Sequence, residues 1–180
     1  DQLTAPVVIT LIEVEGKESA AAAQGAQVRF ALDQSPFYAE SGGQVADCGV
    51  VEGAGFAIAV SDVQKDDGLF VHIGTVAKGT AKPGPATARV DAERRRDTTR
   101  HHSATHLLHA ALAQFVGAHG EQQGSKVSPE ELRFDVNNPK AIEPAQLQQV
   151  EAWVNQQIAA KRAVSIRELP IDEARKLGAK

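Results

Sequence analysis

The chain has no methionine and only one cysteine, one tryptophan and one tyrosine among its 180 residues; aromatic residues make up 4% of it. A single cysteine, Cys48, excludes an internal disulfide and suits a reducing cytosol. No apolar run approaches the ~18 residues that a membrane-crossing helix requires, and no charged-then-apolar leader opens the chain. With no methionine and a start at Asp1, the chain is expected to be a piece of a longer protein in the cytoplasm, away from membranes. Positive charge is also scarce. The net charge of −4 argues against a general, charge-driven nucleic-acid binder. A nucleic acid held at one local patch stays open, because Arg94, Arg95, Arg96 and Arg100 form a dense basic cluster.

Hydrophobic residues, at 42%, suffice for a real core. The first half reads as short strands: Val7–Val14, Gln27–Leu32, a stretch around Cys48–Glu52, Gly55–Val63, Leu69–Val76 and Ala86–Asp91. Asp66-Asp67-Gly68 and Lys82-Pro83-Gly84-Pro85 punctuate them. Evenly spaced short strands predict a small β-barrel. The character changes near Asp91. A helix is expected over Arg94–Gly117, then a polar connection over 118–128 and a strand at Leu132–Val136. A second helix from Pro144 to about Lys161 would carry Leu147, Val150, Val154 and Ile158 on one face, followed by a strand at Val164–Leu169 and a short helix at Ile171–Leu177. The fold class is therefore α+β: a barrel over residues 1–91 and an α+β unit over 92–180.

On the first helix, at about 100° per residue, His102, His106 and His109 share one narrow arc, while Leu107, Leu108, Ala111, Leu112 and Phe115 fill another. Two histidines four apart present both rings to one ion, and zinc takes neutral imidazole. A bare His-x-x-x-His is equally a partly buried pair satisfied by backbone and water. Further donors would have to come from His109, His119, His72, Cys48 or carboxylates. Ser41-Gly42-Gly43-Gln44 lacks the lysine of a phosphate loop, so no nucleotide cofactor is expected there. By itself it reads as a turn with glycine at positive φ.

His102-Ser-Ala-Thr-His106-Leu-Leu-His-Ala-Ala-Leu resembles the first zinc motif of the editing domain of alanyl-tRNA synthetases. Ser35-Pro-Phe-Tyr-Ala-Glu-Ser-Gly-Gly-Gln-Val-Ala-Asp47 resembles the glycine-rich motif of that family. Gln122-Gln-Gly-Ser125, Leu132-Arg-Phe-Asp135 and Val150-Glu-x-x-Val-Asn155 follow in the family's order. The resemblance implies a small barrel followed by an α+β editing unit. It also implies hydrolysis of serine or glycine from the acceptor end of tRNA(Ala), in a Zn2+ site, as one part of a larger synthetase. As the alternative to a plain turn, Ser41–Gln44 would be a loop that approaches the second unit or the tRNA end. His102 and His106 would be metal ligands. Thr105 would read the serine hydroxyl, Gln122 would stand near the pocket, and Arg94, Arg95, Arg96 and Arg100 would meet tRNA backbone. The family's remaining ligands come from a later Cys-x-x-x-His, and none occurs before Lys180, so half of the metal site is expected here. His101 stands where the family often has asparagine. These 180 residues alone are expected to hold zinc weakly and to hydrolyse little. Two other readings stay open: a tRNA-binding or assembly module without activity, and a truncated free-standing trans-editing protein. A following Cys-x-x-x-His, or a following dimerisation region, separates them.

Overall fold

The computed structural model describes residues 2–117, 122–163, 165 and 167–178, and the side chain of Gln122 is outside that description. The elements run β1 (Thr4–Val14), β2 (Lys17–Glu18), β3 (Ala22–Ala23), β4 (Gln27–Leu32), β5 (Gly49–Gly53), β6 (Phe56–Asp66), β7 (Leu69–Lys78), β8 (Thr80–Ala81) and β9 (Gly84–Val90). They continue with α1 (Ala92–Phe115), β10 (Gln122–Val127), β11 (Leu132–Val136), α2 (Pro144–Ala159) and α3 (Ile171–Lys176).

Six antiparallel strands close into a barrel in the order β1-β4-β7-β6-β5-β9, and β9 returns to β1. Closure leaves these strands without an open edge. Alternate residues point inward, and two bulges reset the alternation. In β1, Ala5, Val7 and Ile9 are buried, then Ile12. The interval of three falls where the register with β4 shifts between Ile9 and Leu11. The same happens in β6, where burial passes from Val60 to Val63 across the shift between Val60 and Asp62. An extra residue in one strand turns the following side chains back toward the core and sharpens the local twist. The barrel interior is filled by Ile9, Ile12, Val28, Phe30, Val51, Ile58, Val63 and Val76.

Among these apolar side chains sits His72, fully buried. Its ring stacks on Phe30 at 5.2 Å and meets the edge of Phe37. Nδ1–H donates to the Phe30 carbonyl (3.3 Å), which leaves Nε2 to accept from the Ser35 hydroxyl (2.7 Å). Burial pushes the ring's pKa down to about 4. It is a neutral core histidine with both nitrogens satisfied.

The second core is smaller: Ala111, Leu112 and Val150, with Leu108, Phe115, Phe134, Val136, Trp153 and Val154 against them. α1 contains no glycine or proline over 92–115. It begins two residues before the expected Arg94, because the Asp91 carboxylate accepts from the backbone N–H groups of Glu93 and Arg94. It stops at Phe115, before Gly117, whose φ is +115°. Gln146, in the first turn of α2, donates to the Phe115 carbonyl (3.0 Å) and ties the start of α2 to the end of α1.

Three expectations need correction. Most of the polar connection over 118–128 is the strand β10; it pairs with β11 and buries little, so its polar composition hid it. The alanine-rich stretch Ser19–Gln24, which from sequence reads as a short helical turn or a loop, holds β3, paired with β8. None of the described residues among 165–169 is in a strand; Val164 and Ile166 lie outside the described residues. The apolar face of α2 is only partly covered: Leu147 and Ile158 are exposed, because the helix rests on Val150, Trp153 and Val154.

Candidate functional site

Ser41-Gly42-Gly43-Gln44 folds as a tight turn. Ser41 and Gln44 exchange backbone hydrogen bonds (3.2 and 3.0 Å), and Gly42 and Gly43 both have positive φ, +58° and +84°. Two central residues at positive φ make the mirror-image hairpin turn that glycine favours. The turn is also a docking device. Val127 N–H donates to the Gly43 carbonyl (2.8 Å) and Val45 N–H to the Val127 carbonyl (3.0 Å), so residues 43–45 lie parallel along the free edge of β10. A Cβ on Gly43 would run into the Ser125 carbonyl and come within 2.6 Å of its hydroxyl. Both readings of the glycine-rich segment therefore hold: it is a positive-φ turn, and it reaches the second unit.

Arg95 makes the other bond across this seam. Its Nε donates to both oxygens of Asp47 (2.8 and 2.9 Å) and its Nη2 to the Pro36 carbonyl (2.9 Å), with a further contact from Nη2 to Asp47. The Asp47 side chain is 6% exposed and Arg95 19%. Asp47 also accepts from the Tyr38 N–H (2.6 Å).

Held this way, Gln44 is buried at 8% exposure, and its Oε1 lies 2.6 Å from Nδ1 of His102. An amide oxygen only accepts, so Nδ1 carries the proton and Nε2 keeps its lone pair. The His102 and His106 rings stack at 5.1 Å with 29° between their planes. His102 is half-buried and His106 exposed. Burial first, and the neighbouring His106 second, lower the pKa of His102 and favour the neutral ring. Two stacked imidazoles, with the proton of His102 held at Nδ1, fit the donor set that zinc takes. No group of three His, Cys, Asp or Glu able to hold a metal occurs among the described residues.

A family model for class II (A) tRNA synthetases matches residues 1–94, slightly more than half of the chain. The chain belongs to the class II (A) tRNA synthetase family. It is 49% identical over 173 residues to the alanine–tRNA ligase of Herpetosiphon aurantiacus, covering 95% of this chain and 20% of that protein. It is 45% identical to the ligase of Chelativorans sp. (93% of this chain, 19% of that one) and 44% identical to that of Nostoc punctiforme (99% and 20%). The chain thus spans about a fifth of the length of the relatives it matches. The family match ends as α1 begins, whereas these relatives cover the histidine helix as well.

Within this family member, the candidate residues separate in space. Thr105 is buried, and its hydroxyl donates to the His101 carbonyl (2.8 Å), so its proton is committed to the helix while its lone pairs remain. His101 donates from Nδ1 to the Ser128 carbonyl (2.7 Å), and the His109 ring lies against Phe134 at 5.3 Å. The basic cluster does not form one patch. Arg95 turns inward, and Arg94 pairs with Glu130 (3.0 Å). Arg96 lies 3.7 Å from both Glu93 and Asp97, and Arg100 pairs with Asp97 (3.0 Å); these two side chains are 57% and 69% exposed. Cys48 forms no metal-holding group with the histidine pair among the described residues; its thiol donates to the Ser61 carbonyl (3.3 Å), and burial raises its pKa. His119 and the Gln122 side chain lie outside the described residues. Sequence reasoning missed Gln44 and Asp47 as site residues. Their presence in the glycine-rich motif was the available signal.

Proposed function

We propose that this chain carries part of the editing site of an alanine–tRNA ligase, which hydrolyses serine or glycine esterified to tRNA(Ala). The barrel (1–91) and the α+β unit (92–180) act as two domains joined at the seam described above, in a cytoplasmic enzyme. What supports this most is the stacked His102–His106 pair on α1, backed by Gln44, in a chain whose relatives are alanine–tRNA ligases.

His102 and His106 would hold Zn2+ together with ligands from outside the described residues. Bound there, the ion would anchor the substrate's amino group near the ester. Thr105 supplies the selectivity. A pocket that only excludes bulk separates serine from alanine poorly, whereas a group that bonds the hydroxyl does so well. With its own proton on the His101 carbonyl, Thr105 Oγ1 offers a lone pair to a serine hydroxyl. Gln122 orients the amino acid or the attacking water without titrating. Arg96 and Arg100, the exposed members of the cluster, meet tRNA phosphates.

The test is deacylation of serine- and glycine-charged tRNA(Ala) by an alanine–tRNA ligase carrying this sequence. His102→Ala with His106→Ala abolishes both reactions and releases zinc. Thr105→Val slows serine removal at least tenfold while glycine removal falls much less. Full proofreading by the double-alanine variant refutes the reading.

A further inference from the structure

We propose that Gln44, which the barrel delivers to the helix, is a positioning residue: it locks His102 as the Nδ1–H tautomer and so presents Nε2 to the metal. This rests on the editing-site reading above for the identity of the ligand, but not for the tautomer itself. The contact is short, 2.6 Å between Oε1 and Nδ1, and Gln44 is buried. A free neutral imidazole favours the Nε2–H form, in which the distal nitrogen cannot bind a metal. An acceptor fixed at Nδ1 reverses that preference, and partners of this kind recur behind metal-binding histidines.

The acceptor is held by backbone on both sides. Gln44 N–H is bonded to the Ser41 carbonyl, and the flanking Gly43 carbonyl and Val45 N–H are both bonded to Val127. Gly43 permits this approach because any Cβ there would strike Ser125. The Arg95–Asp47 pair fixes the same segment to α1 about two turns before His102. The seam between barrel and helix therefore sets the orientation of a ligand ring. The exposed His106 ring, by contrast, stacks on His102 and makes no ring hydrogen bond among the described residues.

The first test is long-range 15N–1H correlation of the histidine rings in this chain, at a pH where they are neutral, with His102 assigned by its loss in His102→Ala. The expected spectrum has a pyrrole-like Nδ1 and a pyridine-like Nε2 for His102, with no metal present. Gln44→Leu should return His102 to the Nε2–H form, and Gln44→Glu, which keeps an acceptor, should retain Nδ1–H. The second test is zinc affinity by chelator competition in an alanine–tRNA ligase carrying this sequence. Gln44→Leu should weaken it 10- to 100-fold, and Gln44→Glu should restore most of that loss. An Nε2–H wild-type ring, or an unchanged tautomer in Gln44→Leu, overturns the proposal. If the wild-type ligase binds no zinc while the tautomer behaves as expected, the editing-site reading fails and the lock stands.

Discussion

Replacing Arg95 by alanine should cost far more than removing an ordinary surface charge. Asp47 is almost wholly buried, and Arg95 supplies its charge partner with two Nε contacts, at 2.8 and 2.9 Å. Without the guanidinium, the carboxylate keeps the Tyr38 N–H but loses its ion-pair partner, and the Pro36 carbonyl loses its donor. Orphaning one member of a buried pair costs about 3–5 kcal/mol. An exposed pair such as Arg96–Glu93 is worth only about 0–1 kcal/mol. Asp47→Ala together with Arg95→Ala should cost clearly less than the two single changes added, because the buried orphan is gone. Arg95→Lys should recover only part of the loss, since an ammonium cannot reproduce the planar fork. Urea unfolding measures all four proteins. Trp153, in the second core, reports that unit by fluorescence, and far-UV circular dichroism reports the whole chain. A loss below about 1 kcal/mol in Arg95→Ala would refute the account of the seam. So would additive single and double variants.

The remaining expectations concern pH, backbone and charge. The His72 ring titrates near 6.5 in an unfolded chain but near about 4 when folded, so the unfolded state takes up a proton that the native state refuses. Stability should be complete above pH ~7, fall by about 3 kcal/mol as pH drops from ~6.5 to ~4, and gain no further loss from this group below that. His72→Leu should flatten this part of the unfolding profile, and an identical slope in that variant would contradict it. Gly43→Ala combines a positive φ with a collision at Ser125; it should destabilise the chain by about 2 kcal/mol or more and loosen the His102–Gln44 contact, seen as a changed His102 ring resonance. Arg96→Ala and Arg100→Ala should each weaken tRNA binding and lower its salt slope by roughly one. Arg95→Ala should leave that slope unchanged in folded protein, and a change there would return Arg95 to the tRNA surface.

What the sequence determined by itself was local. A run free of glycine and proline sets α1, and a spacing of four places His102 beside His106 whatever the rest of the chain does, because neighbours on a helix surface are fixed by its pitch. Short apolar stretches between turn residues marked most of the barrel strands. The two resets, at Ile9–Ile12 and Val60–Val63, were present as intervals of three, but nothing in one strand alone distinguishes a bulge from a strand end. β10 escaped because a strand held by edge pairing needs little hydrophobic pattern.

Tertiary structure decided the rest. Gln44 meets His102 across 58 positions and Arg95 meets Asp47 across 48, and no local periodicity carries such a pairing. Four arginines close together in sequence looked like one basic patch. The turn of the helix, and a buried carboxylate on the barrel, took Arg95 inward and left Arg96 and Arg100 in solvent. Helix geometry thus chose the two imidazoles. Barrel closure and the glycine turn chose which nitrogen of His102 keeps its proton.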